Sequence, residues 1–128
     1  MDLKTYFDET KGAGILATAD SAGKIDAAVY SRPHVMEDGQ LAFIMTDRLT
    51  HANLQSNPNA VYLFMEEDKR WKGKRLYLSR TKEETDLEKI QSLMRRRKPS
   101  DVEKYKEIRK FLVYFKLDKE LPLIGEGE

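Results

Sequence analysis

Apolar residues recur along this chain in short runs broken by turn signals, the pattern of an antiparallel β protein with a few helices added. Residues 2–11 form the first element. Leu3, Tyr6 and Phe7 fall at i, i+3 and i+4, one apolar stripe of a helix that has Asp2 in its first turn and Lys11 in its last, and Gly12 and Gly14 end it. Residues 14–20 read as a strand of small residues, 21–24 as a turn and 25–36 as a second strand. Within that strand Ile25, Ala27, Val29 and Ser31 share one face, and Asp26, Ala28, Tyr30, Arg32 and His34 share the other. Pro33 cannot donate to a ladder, so the strand has a bulge or an edge where Arg32 and His34 are presented.

Asp38-Gly39 is a hairpin signal leading into a third strand at 41–45. Thr50 reads as the N-cap of a helix over 50–57, which Asn57-Pro58 stops. Residues 60–65 are a fourth strand, 66–74 a charged loop holding the only tryptophan, Trp71, and 75–82 a fifth strand. Thr85-Asp86-Leu87-Glu88 reads as a capping box, and Leu87, Ile90, Leu93 and Met94 are the stripe of the helix it opens. Arg95, Arg96, Arg97 and Lys98 close that helix, where cations suit its dipole. Ser100 and Glu103 bracket a second capping box for a helix to about Lys110, and 111–117 is the last strand. Five hairpin-linked strands, a sixth after the helices and few βαβ signals predict a mainly β (α+β) fold, an antiparallel barrel or roll with peripheral helices.

Composition narrows the class. The 128 residues suit a single domain over 1–128, with a helix in 1–12 and a tail in 118–128. Charged residues make up 35% of the chain but nearly balance, at a formal net charge of +1, so nothing steers it towards nucleic acid or an anionic membrane. The basic run at 95–98 has no interleaved aromatics for base stacking and reads as a solvated helix end. With no cysteine there is no disulfide framework, thiolate metal site or Cys nucleophile, and with two histidines a His-rich metal site is not expected. The first residues carry no long apolar run, so the expectation is a cytoplasmic protein without signal peptide or membrane span.

The chemistry concentrates between residues 25 and 64. A helix start at Thr50-His51 offers free backbone N–H groups and a positive dipole end, which suits a phosphate. Arg48 lies in the preceding loop, and Arg32 and His34 come from the neighbouring strand; arginine matches phosphate bidentately. Thr46 and Asp47 bring a hydroxyl, a carboxylate and backbone groups to the strand end, suited to the edge of a polar heterocycle. Each residue also has a plainer reading: Thr50 as a cap alone, Arg48 and Arg32 as solvated or ion-paired, His34 as a surface histidine, and His51 as an ordinary first-turn residue.

Ser31-Arg32-Pro33, then Phe43-Ile44-Met45-Thr46, then a short helix with Asn53-Leu54 and Asn57-Pro58, give the stretch its character. In this the chain resembles the pyridoxamine 5′-phosphate oxidase-like flavoproteins, the FMN-binding split-barrel family. The resemblance covers residues 2 to about 117 and is most specific over 28–64. It implies a six-stranded antiparallel split β-barrel, a homodimer with FMN at the interface, and a flavin-dependent oxidoreductase of unassigned substrate. It further implies that Tyr30, Ser31, Arg32, Pro33 and His34 line the second-strand side, that Met45, Thr46 and Asp47 lie under the ring, and that Arg48, Thr50 and His51 take the phosphate. Arg75 and Trp71 are implied to reach the flavin from the other subunit. His51 stands where relatives carry lysine, and the arginine-rich substrate residues of true pyridoxamine phosphate oxidases are not recognisable, so vitamin B6 oxidation is not implied. A non-catalytic electron carrier, or binding of F420 or haem in the same barrel, are the alternatives the family leaves open.

Overall fold

The computed structural model describes residues 2–94 and 109–125. Helix α1 (Leu3–Glu9) is capped by Asp2, whose carboxylate accepts from the Thr5 amide at 2.8 Å. Seven strands follow with two more helices between them: β1 (Gly12–Ala19), β2 (Ile25–Val29), β3 (His34–Val35), β4 (Leu41–Thr46), α2 (Leu49–Ser56), β5 (Asn59–Glu66), β6 (Gly73–Glu84), α3 (Leu87–Leu93) and β7 (Lys110–Pro122). They form one sheet in the order β2-β1-β5-β6-β7-β4-β3, with every neighbouring pair antiparallel.

There are seven strands where six were expected, because the strand predicted over 25–36 is two. Tyr30 still donates its amide to the Gly14 carbonyl, after which the chain leaves β1, passes through the buried Pro33 and starts β3 against β4. Proline has no amide to keep the ladder running. The two edge strands of the sheet are therefore joined by residues 30–33 but do not pair, and the barrel is split there.

Three boundaries also differ from expectation. Asp86, not Thr85, caps α3, its carboxylate accepting from the Glu88 and Lys89 amides. Lys110 opens β7 and does not end a helix; the rest of the helix expected from Ser100, and the run Arg95 to Lys98, lie outside the described residues. Strand β7 is also longer than predicted, because residues 119–122 pair with the start of β6.

Inward side chains fill the barrel. Phe7, Leu16, Phe43, Leu54, Tyr62, Phe64, Leu76 and Phe115 are at most 2% exposed, and their rings meet mostly edge to face, as for Phe43–Phe115 at 5.7 Å. A second, smaller core of Ala42, Ile90, Leu112 and Tyr114 lies under α3. Strands β4 and β7 are thus buried on both faces. Among the described residues, the outer face of β2, β1, β5 and β6 has no such cover: Ile25 is 77% and Val29 81% exposed, with Ile15, Val61 and Leu63 paired beside them. So of the two faces of β2, the more apolar one points outward.

Gly14 is fixed by packing. A Cβ there would run into the Tyr62 ring, whose hydroxyl donates to the Tyr30 carbonyl at 3.1 Å. Overpacking of this kind costs about 1–3 kcal/mol. Gly14→Ala should therefore lower the unfolding free energy by that amount, and Tyr62→Phe by only about 1 kcal/mol for the one lost bond, both read from equilibrium urea denaturation.

Candidate functional site

Helix α2 is held by its inner side. Thr50, Asn53 and Leu54 recur at i, i+3 and i+4 and are all buried. Asn53 donates from Nδ2 to the buried Thr18 Oγ1 on β1 at 3.0 Å, and Leu54 enters the barrel core. The far end is a local device: Asn57 is the C-cap and its side-chain oxygen accepts from the Asn59 amide at 3.1 Å.

The near end differs from expectation. The N-cap is Arg48, with extended backbone and no side-chain hydrogen bond to the helix, and Thr50 sits inside the first turn. Its side chain faces Tyr30, the last residue before the chain leaves the sheet. Burial pushes the Tyr30 hydroxyl above its ordinary value, opposed by the Thr50 hydrogen bond; nearby Asp26 adds to the rise and Arg48 opposes it. The first turn of α2 therefore presents uncapped amides beside an exposed arginine and a pair of hydroxyls, a polar arrangement suited to an anion.

His51 faces the other way. Its ring is 6% exposed and stacks on Phe111, centroids 3.9 Å apart. Nδ1 lies 3.1 Å from an Asp47 carboxylate oxygen and Nε2 lies 2.9 Å from one of Glu83. Arg80 donates to the second Glu83 oxygen at 2.8 Å and Gln55 to the same oxygen at 2.9 Å. Both ring nitrogens thus meet carboxylates, where the sequence reading pointed the imidazole at a phosphate. Burial works to raise the Glu83 carboxyl, but hydrogen bonds from His51, Arg80 and Gln55 outweigh it and hold the group at about 2.

Glu83 and Arg80 were missing from the sequence reading for a physical reason. They are three apart on a strand, which an alternating pattern puts on opposite faces. A register shift between Arg80 and Lys82 lets both side chains meet.

The other expected residues fall into two sets. Tyr30, Ser31, Arg32 and His34 line a cleft of about 920 Å³ that also takes in Lys11 and Lys110, and Pro33 is buried between them. Arg32 donates from Nη1 to the carbonyls of Phe7 (2.7 Å) and Thr10 (3.1 Å), tying α1 to this wall. Met45 points into the core at 1% exposure, so only its backbone faces outward, while Thr46 is half-buried at the end of β4. Trp71 and Arg75 do not line the cleft. Trp71 is exposed in the β5–β6 hairpin with φ 59°, a left-handed conformation rare for a large side chain. Arg75 donates to the carbonyls of Pro122 (2.9 Å) and Gly125 and so fastens the end of β7.

No family model matches this chain, and no curated protein does. Solved structures do. An F420 reductase superposes with a TM-score of 0.68 at 12% identity, covering 94% of this chain and 97% of its own. An FMN-binding protein from Syntrophomonas wolfei subsp. wolfei gives 0.63 at 19%, covering 96% and 84%. General stress protein 26 from Bacillus anthracis str. Sterne gives 0.63 at 14%, covering 94% and 90%. At these identities the likeness is one of fold: the chain is a mainly β, antiparallel split barrel along nearly its whole length.

The Glu83 cluster makes a prediction about acid stability. A carboxyl held below its ordinary value of 4.5 stabilises the fold fully above that pH, and the contribution is lost as pH falls towards about 2. Glu83→Gln should cost about 1–3 kcal/mol at pH 7, the range for losing charged hydrogen bonds. Its urea midpoint should then converge with that of the wild type between pH 4.5 and 2. A constant gap down to pH 2 would show that Glu83 is not held in this way.

Proposed function

We propose that this chain binds a flavin, FMN in preference to other forms, as a homodimer with the cofactor between the copies. The observation that carries the reading is the uncapped first turn of α2, set beside exposed Arg48 and against Tyr30 where the second strand leaves the sheet. The likeness in fold to proteins described as FMN-binding and as an F420 reductase supports it.

The donor set fits the group. The first-turn amides and Arg48 would hold a phosphate, with charge-assisted bonds to the arginine. Tyr30, Thr50 and Thr46 would face the polar side of the ligand, with Ser31, Arg32, Pro33 and His34 on the second-strand wall and the Met45 and Asp47 backbone beneath. In this reading His51 supports the turn from behind instead of touching the phosphate. A bound flavin would supply hydride or electron transfer. The chain's own part is to bind, orient and shield it, and His34 is the side chain placed to hold or pass a proton at the cleft wall.

A second copy would cover the bare outer face of β2, β1, β5 and β6. Exposed Ile25 and Val29 sit there in a paired apolar sheet surface, which water disfavours. Arg75 and Trp71 of that second copy complete the site in this reading.

Ligand binding and oligomeric state test it. The spectrum of the purified protein, and FMN titration by fluorescence quenching, should show one flavin per chain. Arg48→Ala should weaken binding about tenfold or more, the range for a charged phosphate contact, and unchanged affinity would remove the phosphate assignment. A Soret band, or selective binding of F420, would replace FMN by that ligand; turnover with neither nicotinamide donors nor quinone or nitro acceptors would make the protein a carrier. In sedimentation analysis the wild type should be a dimer and Val29→Arg a monomer that binds flavin poorly. A monomeric wild type would sink the shared site.

A further inference from the structure

The last carbonyls of a helix have no partner within it, and the final turn of α1 holds no basic residue to serve them. Arg32 serves them from far along the chain. Its Nη1 donates to the Phe7 carbonyl at 2.7 Å and to the Thr10 carbonyl at 3.1 Å, at the helix end where a positive charge suits the dipole.

Phe7 holds the same segment a second time. Its buried ring meets the Tyr62 ring edge to face at 6.3 Å, and the Tyr62 hydroxyl donates to the Tyr30 carbonyl at 3.1 Å. One residue of α1 thus grips the crossing segment at two places: Arg32 through its carbonyl, and Tyr30 through its side chain and Tyr62. The contacts close a circuit. Phe7 leads to Tyr62, Tyr62 to Tyr30, Tyr30 along the chain to Arg32, and Arg32 back to Phe7.

The circuit matters because of the segment it fixes. Residues 30–33 run between the two edge strands of the sheet and belong to neither. The Tyr30 amide reaches the Gly14 carbonyl at 3.0 Å, and beyond it Pro33 has no amide to offer a ladder. Yet this segment carries Tyr30 and Ser31, and leads into His34, on the wall of the cleft. Helix α1 supplies none of the cleft's described lining residues, so it acts on a ligand there only through the circuit.

We propose that Arg32 is a positioning residue: it closes the end of α1 onto residues 30–33 and so makes the N-terminal helix part of the wall that a ligand meets. The tie between helix and wall stands on the contacts above. Its effect on a ligand rests on the flavin reading. A ligand that touches Tyr30, Ser31 and His34 in this arrangement favours the closed circuit, and the closed circuit favours the ligand by the same factor. Helix α1 then tightens on binding without touching what is bound.

Amide hydrogen exchange in the ligand-free protein tests the tie. Thr10 reports on the helix end, since its amide donates to the Tyr6 carbonyl at 2.9 Å, and the Tyr30 amide reports on the wall. Arg32→Met keeps an unbranched stem and removes every donor. It should raise the opening constants at both amides about tenfold, the scale of a lost charged hydrogen bond, and leave the amides of the buried strand β7 unchanged. Arg32→Lys, which keeps the charge without the planar fork, should fall between Arg32→Met and the wild type. A rise at Thr10 with none at Tyr30 would reduce Arg32 to a helix cap that does not reach the wall. An equal rise in β7 would mean a general loss of stability. Either result, or no rise at all, would overturn the proposal.

Flavin affinities separate positioning from contact. Measured by fluorescence quenching, FMN and riboflavin should both bind Arg32→Met more weakly, and by the same factor, because the wall serves both. Saturating FMN should slow exchange at Thr10 in the wild type and not in Arg32→Met. A loss confined to FMN would make Arg32 a phosphate ligand and remove its positioning role. Unchanged exchange at Thr10 in the wild type would break the coupling to the ligand. Failure of the wild type to bind either flavin would refute the flavin reading, and exchange at Thr10 and Tyr30 would still decide the tie.

Discussion

A sheet has two faces, and here the described residues cover one across its width but the other only over β4 and β7. Inside, the aromatic core packs against every long strand. Outside, α3 lies on Ala42, Leu112 and Tyr114. The rest of the outer surface is not polar, as a solvated sheet face would be. It carries Ile15, Ala17, Val61 and Leu63 beside the prominent Ile25 and Val29, with Tyr77 at its far side. Burial of apolar area at about 25 cal/mol per Å² makes such a surface a strong driver of association. The split between β2 and β3 follows from the same incomplete closure, because the strand that would seal the barrel is broken at Pro33.

That break places the functional elements. Once the chain leaves β1 at Tyr30 it runs across the opening, and α2 sits beside it on anchors that all lie on the helix's inner side: Thr50, Asn53 and Leu54, with His51 stacked on Phe111. A helix fixed in this way needs no cap to stay folded. Lacking a capping side chain costs about 1 kcal/mol, which one buried hydrogen bond such as Asn53 to Thr18 offsets. What remains is a rigid helix start with its amides unused. Unused donors held in a fixed place are what anion recognition requires, since no reorganisation is needed when the ligand arrives.

Most of this architecture was legible in the residues. Period-two alternation and the turn dipeptides located the strands, and the stripe in residues 2–11 located α1, because those signals are local. The Arg-Pro pair marked the break but not its result, since nothing local says that His34 and Val35 pair with β4. The outward turn of Ile25 and Val29 was illegible for a deeper reason. Alternation separates two faces without saying which one the rest of the chain covers, and that is decided by tertiary packing. His51 shows the same limit. Its place in the helix was readable, but its partner Glu83 is 32 residues away and reaches it through a bulge that breaks the strand period.

The position of His51 also limits how it can influence a ligand. A ring closed in by two carboxylates and Phe111 cannot turn to a phosphate without leaving Glu83 short of a donor, and a buried carboxylate without its partners is costly. Any influence must therefore pass through the backbone of the first turn.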